Sequence, residues 1–217
     1  MNDWITPNWP APLNVRALFT TRSGGISSGP YTNFNLGNHV GDKEHIVLQN
    51  RAKLYKALPN EPRWLDQVHG STPIWVDNNT NSLRGDAALS KSKNIVCAIL
   101  TADCLPVFLC DEAGTVVGIV HAGWRGLAAG VIEQAVAEMK KNCVHIMAYL
   151  GPAIGPNYFE IGEEVRYSFI KQDKISMPAF TPCNEVNSKK WRADIFLLAR
   201  QRLAVAGVTK IYSHESS

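Results

Sequence analysis

The stretch ADCLPVFLCDEAGTVVGIVHAGWRGLAAGVIEQAVAEMKK (102–141) constrains this chain more than any other. Two apolar runs, PVFLCD (106–111) and TVVGIVHA (115–122), flank a short turn of Glu112, Ala113 and Gly114, which predicts a β-hairpin. The period then changes. Leu127, Val131, Ala135 and Met139 fall on one helical face with Ala128, Ile132 and Val136 beside them, so the spacing predicts one helix over 124–141. Lys140 and Lys141 sit in its last turn, where positive charge suits the helix dipole.

Around this centre, strands and helices interleave. VRALFTT (15–21) reads as a first strand, followed by the loop RSGGISSGPYTNFNLGNHVGD. Val47, Leu54 and Leu58 give KEHIVLQNRAKLYKAL (43–58) a helical spacing that Pro59 and Pro62 end. TPIWVD (72–77) reads as a strand, 78–85 as a polar loop, and NIVCAILTAD as a buried strand. HIMAYLG (145–151) and TKIYSH are further strands; EEVRYSFIKQ and ADIFLLARQRLAVAG are further helices, the second ended by Gly207. The expected fold class is α/β: a single domain, 1–217, with a mixed β-sheet layered with helices.

Composition narrows the function. The 217 residues are 45% hydrophobic and 19% charged, which predicts a packed core. A net charge of +3 with mixed signs and no basic run argues against nucleic acid as a partner. MNDWITPNWPAP lacks the pattern of a secretion signal, and no apolar run is long enough to span a membrane, so the expected location is the cytoplasm. The five cysteines are then expected as reduced thiols or metal ligands.

The hairpin has a chemical consequence. Cys104 stands at the start of one strand and His121 near the end of the other, and antiparallel pairing makes those ends neighbours. A third ligand, His69 in DQVHG, would complete a His₂Cys set with a fourth tetrahedral position open, the pattern of a catalytic zinc. The same residues also read as a buried cysteine beside a hydrogen-bonded core histidine, or as a Cys–His nucleophile pair. Asp103 is a candidate general acid/base or a partner of a ligating histidine, and otherwise a turn-forming residue. Arg125, at the helix start after Gly123, is a candidate anion contact. His39, His45, His145 and His214 carry no assignment, and Cys97 and Cys110 read as packing residues.

The motifs TTRSGGIS, NFNLGNHVGD, LDQVHG, GDAALS, TADCLPVFL, HAGWRGLAAG and GPAIGPNYFEIG occur in this order along nearly the whole chain. Together they resemble the YfiH-like family, also called the laccase-domain, polyphenol oxidase or peptidoglycan editing factor family. The resemblance implies a mixed-sheet α/β domain of cysteine-hydrolase-like architecture. It implies one Zn²⁺ held by the positions of His69, Cys104 and His121. It implies phosphorolysis of adenosine, inosine and methylthioadenosine, so that a purine nucleoside and phosphate are the expected partners, with adenosine deamination beside it. Other names attached to the family point to a copper-dependent polyphenol oxidase and to an editor of peptidoglycan precursors. Family members usually continue past the last strand, whereas this chain stops at IYSHESS; a missing C-terminal segment is therefore an expectation.

That chemistry assigns candidates. Phosphorolysis needs an anion site, for which Arg22 on its glycine-rich loop and Arg125 are the expected contacts. Asn35 and Gln67 are candidates for reading sugar hydroxyls or base edges. Deamination needs a proton carrier, the role expected of Asp103. Copper could occupy the same three ligands, but six histidines without a His-x-His pair are few for a multicopper centre. A Cys–His hydrolase with Cys104 as nucleophile is the remaining enzymatic alternative.

Overall fold

The expected hairpin forms the middle of a six-stranded mixed sheet in the computed structural model, which describes residues 3–77, 82–183 and 189–213. In chain order the helices are α1 (Glu44–Tyr55), α2 (Trp124–Ala128), α3 (Val131–Lys140), α4 (Glu163–Ile170) and α5 (Ile195–Val205). The strands are β1 (Pro62–Trp64), β2 (Pro73–Trp75), β3 (Ala87–Ser90), β4 (Val96–Ala98), β5 (Leu105–Asp111), β6 (Val117–Ala122), β7 (Ile146–Leu150), β8 (Glu160–Ile161), β9 (Phe180–Pro182), β10 (Trp191–Ala193) and β11 (Lys210–Ser213). The main sheet runs β11-β7-β5-β6-β3-β2, with its outer pairs parallel and its inner pairs antiparallel. Strands β1 and β4 form a separate parallel pair, and β8-β10-β9 a small antiparallel sheet. This is the mixed α/β domain that the interleaved pattern predicts.

Strand alternation divides the core in two. Leu105, Val107 and Leu109 of β5 and Val120 and Ala122 of β6 face the helical layer, where they meet Leu127, Val131, Ile132, Ala135 and Met139. Phe108 and Ile119 face the other way and pack with Phe19, Ala88 and Tyr149. Irregular chain covers this second face. Residues 15–21 contribute no regular strand, contrary to expectation. Phe19 makes only a two-bond bridge with Ile5, and its ring lies 4.6 Å from that of Phe108, so the segment lids the sheet instead of joining it.

Two further expectations need correction. The helix over 124–141 is two helices, because Gly130 adopts φ 85°, a left-handed turn that a β-carbon would strain. Both pieces bury their apolar residues in one layer, so the period runs through the break. NIVCAILTAD supplies only the three-residue, half-buried β4, paired to β1 outside the main sheet. GDAALS, to which the sequence reading assigned no strand, supplies β3 just after the expected loop 78–85, buried at all four positions. Positions 78–81 and His214 lie outside the described residues.

The glycine-rich loop is held firmly. Asn50 of α1 is fully buried; its Oδ1 accepts from Ile26 N–H and its Nδ2 donates to Ser27 Oγ and Asn35 O. Cys97 and Cys110 pack as expected, and burial pushes both thiols up to about 12, aided at Cys97 by Asp77 and at Cys110 by Asp111 and Cys143.

Candidate metal centre

Register brings two of the expected ligands together. Pro106 pairs with His121 and Leu105 with Ala122, so Cys104, one residue before β5, comes opposite Gly123. Cys104, Pro106 and His121 thereby share the sheet face away from the helices. His69 arrives from the chain after β1. Asp66 lies parallel to Arg84, and its carbonyl accepts from Gly85 N–H, which leads the two segments side by side to Asp86. There residues 68–70 bend, with His69 at φ 57°.

The ligand atoms of His69, Cys104 and His121 all lie within 4.8 Å of one another, and no other such group of three occurs among the described residues. The two imidazole rings meet edge to face, 4.8 Å between centroids. Burial is graded: His121 is buried, Cys104 half-buried and His69 exposed, so the cluster opens to solvent on the His69 side.

Two observations test whether these residues suit a metal. Two imidazole nitrogens and one sulfur form a donor set matched to a borderline-soft ion such as zinc or copper. The space between them is also kept clear: a β-carbon on Gly123 would stand 3.0 Å from Cys104 Sγ, 3.4 Å from His69 Cδ2 and 3.6 Å from His121 Nε2. The residues fit such an ion.

Electrostatics separate a ligand from an activated nucleophile. Burial raises the Cys104 thiol above its usual range, and the charges of Asp103 and Asp86 add to this. Burial lowers His121, against the hydrogen bond and charge of Asp86 that favour its protonation, and His69 lowers it further. A neutral imidazole beside a protonated thiol is the reverse of the thiolate–imidazolium pair that a cysteine nucleophile requires. It suits a ligand set whose thiol loses its proton only when a cation arrives.

The other expected residues stand apart in their bonding. Asp103 is exposed, and its carbonyl accepts from Ile154 N–H at 3.0 Å. Arg22 donates from Nε and one terminal nitrogen to Thr32 O, within its own loop. Asn35 Nδ2 donates to Gly37 O and Asp42 Oδ2, while its Oδ1 accepts from Gly37 N–H. Gln67 bonds at both ends to the backbone of Leu100, at 2.7 and 2.9 Å, bracing the segment that leads to Cys104. Arg125 is exposed and stacks over Trp124, 4.4 Å from the ring centroid. Phe159 packs on the core, and Tyr158 projects its ring into solvent.

The partner of His121 is one that sequence reasoning did not single out. Asp86, not Asp103, meets His121 Nδ1, at 2.8 Å. The only trace in the sequence is an aspartate before the short apolar run AALS.

Residues 16–217 match the family described as multi-copper polyphenol oxidoreductase laccase, and the chain belongs to that family. A purine nucleoside phosphorylase of Pseudomonas aeruginosa is 48% identical over 212 residues, 98% of this chain and 86% of the relative. Purine nucleoside phosphorylase YfiH of Escherichia coli is 47% identical over 215 residues, 98% of this chain and 87% of the relative. Among solved structures, a Neisseria meningitidis protein superposes with a TM-score of 0.89 at 40% identity, covering 97% of this chain and 86% of that one. YlmD of Geobacillus stearothermophilus gives a TM-score of 0.81 at 28% identity, covering 98% of this chain and 85% of that one. The YfiH-like resemblance in the sequence is thereby confirmed. No helix among the described residues is long and apolar enough to cross a membrane.

Proposed function

We propose that the chain is a purine nucleoside phosphorylase that holds one zinc ion on His69, Cys104 and His121. It splits adenosine, inosine or methylthioadenosine with phosphate into the free base and ribose 1-phosphate or its methylthio analogue. The observation that carries this reading is the His–Cys–His cluster around the empty flank of Gly123. Relatives named for this activity, 47 and 48% identical over 98% of the chain, support it. When bound, the ion supplies a Lewis acid with a coordination position left for substrate.

The chain's own residues divide the remaining work. His121 and Cys104 fix the inner side of the site, and exposed His69 leaves its outer side open for a nucleoside. Asp103, exposed beside Cys104, carries a proton to or from the base. Arg125 and Arg22 are the guanidinium donors proposed for phosphate, whose planar forks match its oxygens. Asn35 and Gln67 act through the loops that they brace. Adenosine deamination at the same site is a second activity, with Asp103 again as proton carrier. One three-ligand cluster suits a single ion better than the several coppers of a multicopper oxidase.

The test is one assay on purified, metal-analysed protein: adenosine with and without phosphate, products separated by chromatography. Adenine and ribose 1-phosphate that appear only with phosphate establish the phosphorylase, and inosine reveals the deaminase. No turnover with one equivalent of zinc bound refutes the reading.

A further inference from the structure

The two histidines reach the cluster from separate parts of the fold, and one buried carboxylate touches the mounting of both. Asp86, fully buried, immediately precedes β3, which pairs with β6. Its Oδ1 accepts from His121 Nδ1 at 2.8 Å and from His69 N–H at 3.0 Å. Its Oδ2 accepts from Val68 N–H at 3.2 Å and Gly70 N–H at 2.7 Å. The Asp86 carbonyl also accepts from His121 N–H at 2.7 Å, which ties the two backbones together.

These bonds have two separate effects. An ionised carboxylate only accepts, so the hydrogen on Nδ1 belongs to His121, and its Nε2 is left with the lone pair. Nε2 is the nitrogen that looks toward Gly123 and the other two ligands. Meanwhile three successive backbone N–H groups close on the same carboxylate and hold residues 68–70 in a turn that a histidine does not favour, φ 57° at His69.

We propose that Asp86 is the positioning residue of this centre: one buried carboxylate selects the Nδ1–H tautomer of His121 and fixes the turn that presents His69. The consequence for metal affinity rests on the metal reading above; the tautomer and the turn do not.

Asp86→Asn is the informative variant because it keeps the size and removes one acceptor. With its amide nitrogen toward residues 68–70, it would face two N–H donors. Turned the other way, its oxygen satisfies those two donors, its NH₂ confronts only His69 N–H, and it donates to His121 Nδ1, which forces the hydrogen onto Nε2, the ligand atom. The experiment records imidazole ¹H–¹⁵N correlations of the metal-free full chain, then zinc affinity by chelator competition. The expected results are an Nδ1–H tautomer at His121 in the wild type, an Nε2–H tautomer in Asp86→Asn, and zinc binding weakened by about 10- to 100-fold in the variant. A purely structural role would lower the melting temperature without exchanging the tautomer. Should the variant not fold, the wild-type tautomer still decides. An Nε2–H tautomer in the wild type, or a folded variant with unchanged zinc affinity, overturns the proposal. A wild type that shows the Nδ1–H tautomer yet takes up no zinc upholds the positioning and overturns the metal reading instead.

Discussion

Adding a single methyl at Gly123 probes the candidate metal centre most directly. Gly123 has φ −69° and ψ 158°, a conformation open to any residue, so Gly123→Ala introduces no backbone strain. What changes is the space among the ligands. The new carbon stands 3.0 Å from Cys104 Sγ, and the sulfur must yield by a few tenths of an ångström. In the metal-free protein half-buried Cys104 can turn aside, and the remaining cost is that of alanine against glycine at the start of α2, about 1 kcal/mol or less. With zinc bound, the sulfur is fixed at about 2.3 Å from the ion and the two nitrogens at about 2.0–2.1 Å. The overpacking then falls on the loaded state. At about 1–3 kcal/mol, it weakens zinc binding by about 5- to 150-fold. Chelator competition gives the affinity, and thermal melts of the metal-free proteins give the reference. Wild-type affinity in a variant that melts like the wild type would refute the idea that Gly123 keeps the cradle open.

Two further outcomes are expected from the neighbouring residues. Zinc affinity should rise with pH by about tenfold per unit between the ordinary imidazole range and the thiol's titration, because there the raised Cys104 thiol must give up one proton on binding while His121 is held low and already neutral; Cys104→Ser should lose most of the metal and this slope, and stoichiometric zinc in that variant by elemental analysis would contradict the assignment. Asp103→Asn should lower kcat by about 100-fold or more, the usual contribution of a general acid/base, while zinc stays bound; full activity would leave Asp103 a turn residue.

The parts of this site that are legible in sequence are those set by local pairing. The hairpin makes the nearness of Cys104 and His121 legible, but its connection is longer than the expected turn of Glu112, Ala113 and Gly114: Cys110 pairs with Val117, and that register puts Cys104 and His121 on one face. His69 is different. Its approach depends on the bridge between Asp66 and Arg84 and on the turn at 68–70, neither of which leaves a periodic pattern. The helix break at Gly130 is hidden because α2 and α3 bury their residues in the same layer. The two- and three-residue strands β8, β9 and β10 are too short to show alternation at all.

Asp86 marks the deeper limit. An aspartate before a short apolar run carries no signal of its own, and only the pairing of β3 with β6 brings it to a histidine 35 positions away. The amides of Asn35 and Gln67 show the same dependence on packing. Sequence reading offers them as contacts for sugar hydroxyls or base edges, and in the fold their amides also bond nearby backbone groups of Gly37 and Leu100. Both cases share one cause. A polar side chain's role is decided by which unsatisfied group lies nearest in the folded chain, and for loop residues that neighbour is set by long-range packing. Ligands paired through a hairpin escape this ambiguity because register determines their neighbours, whereas His69, named in the sequence as a candidate third ligand, owes its place to loop contacts that leave no periodic pattern.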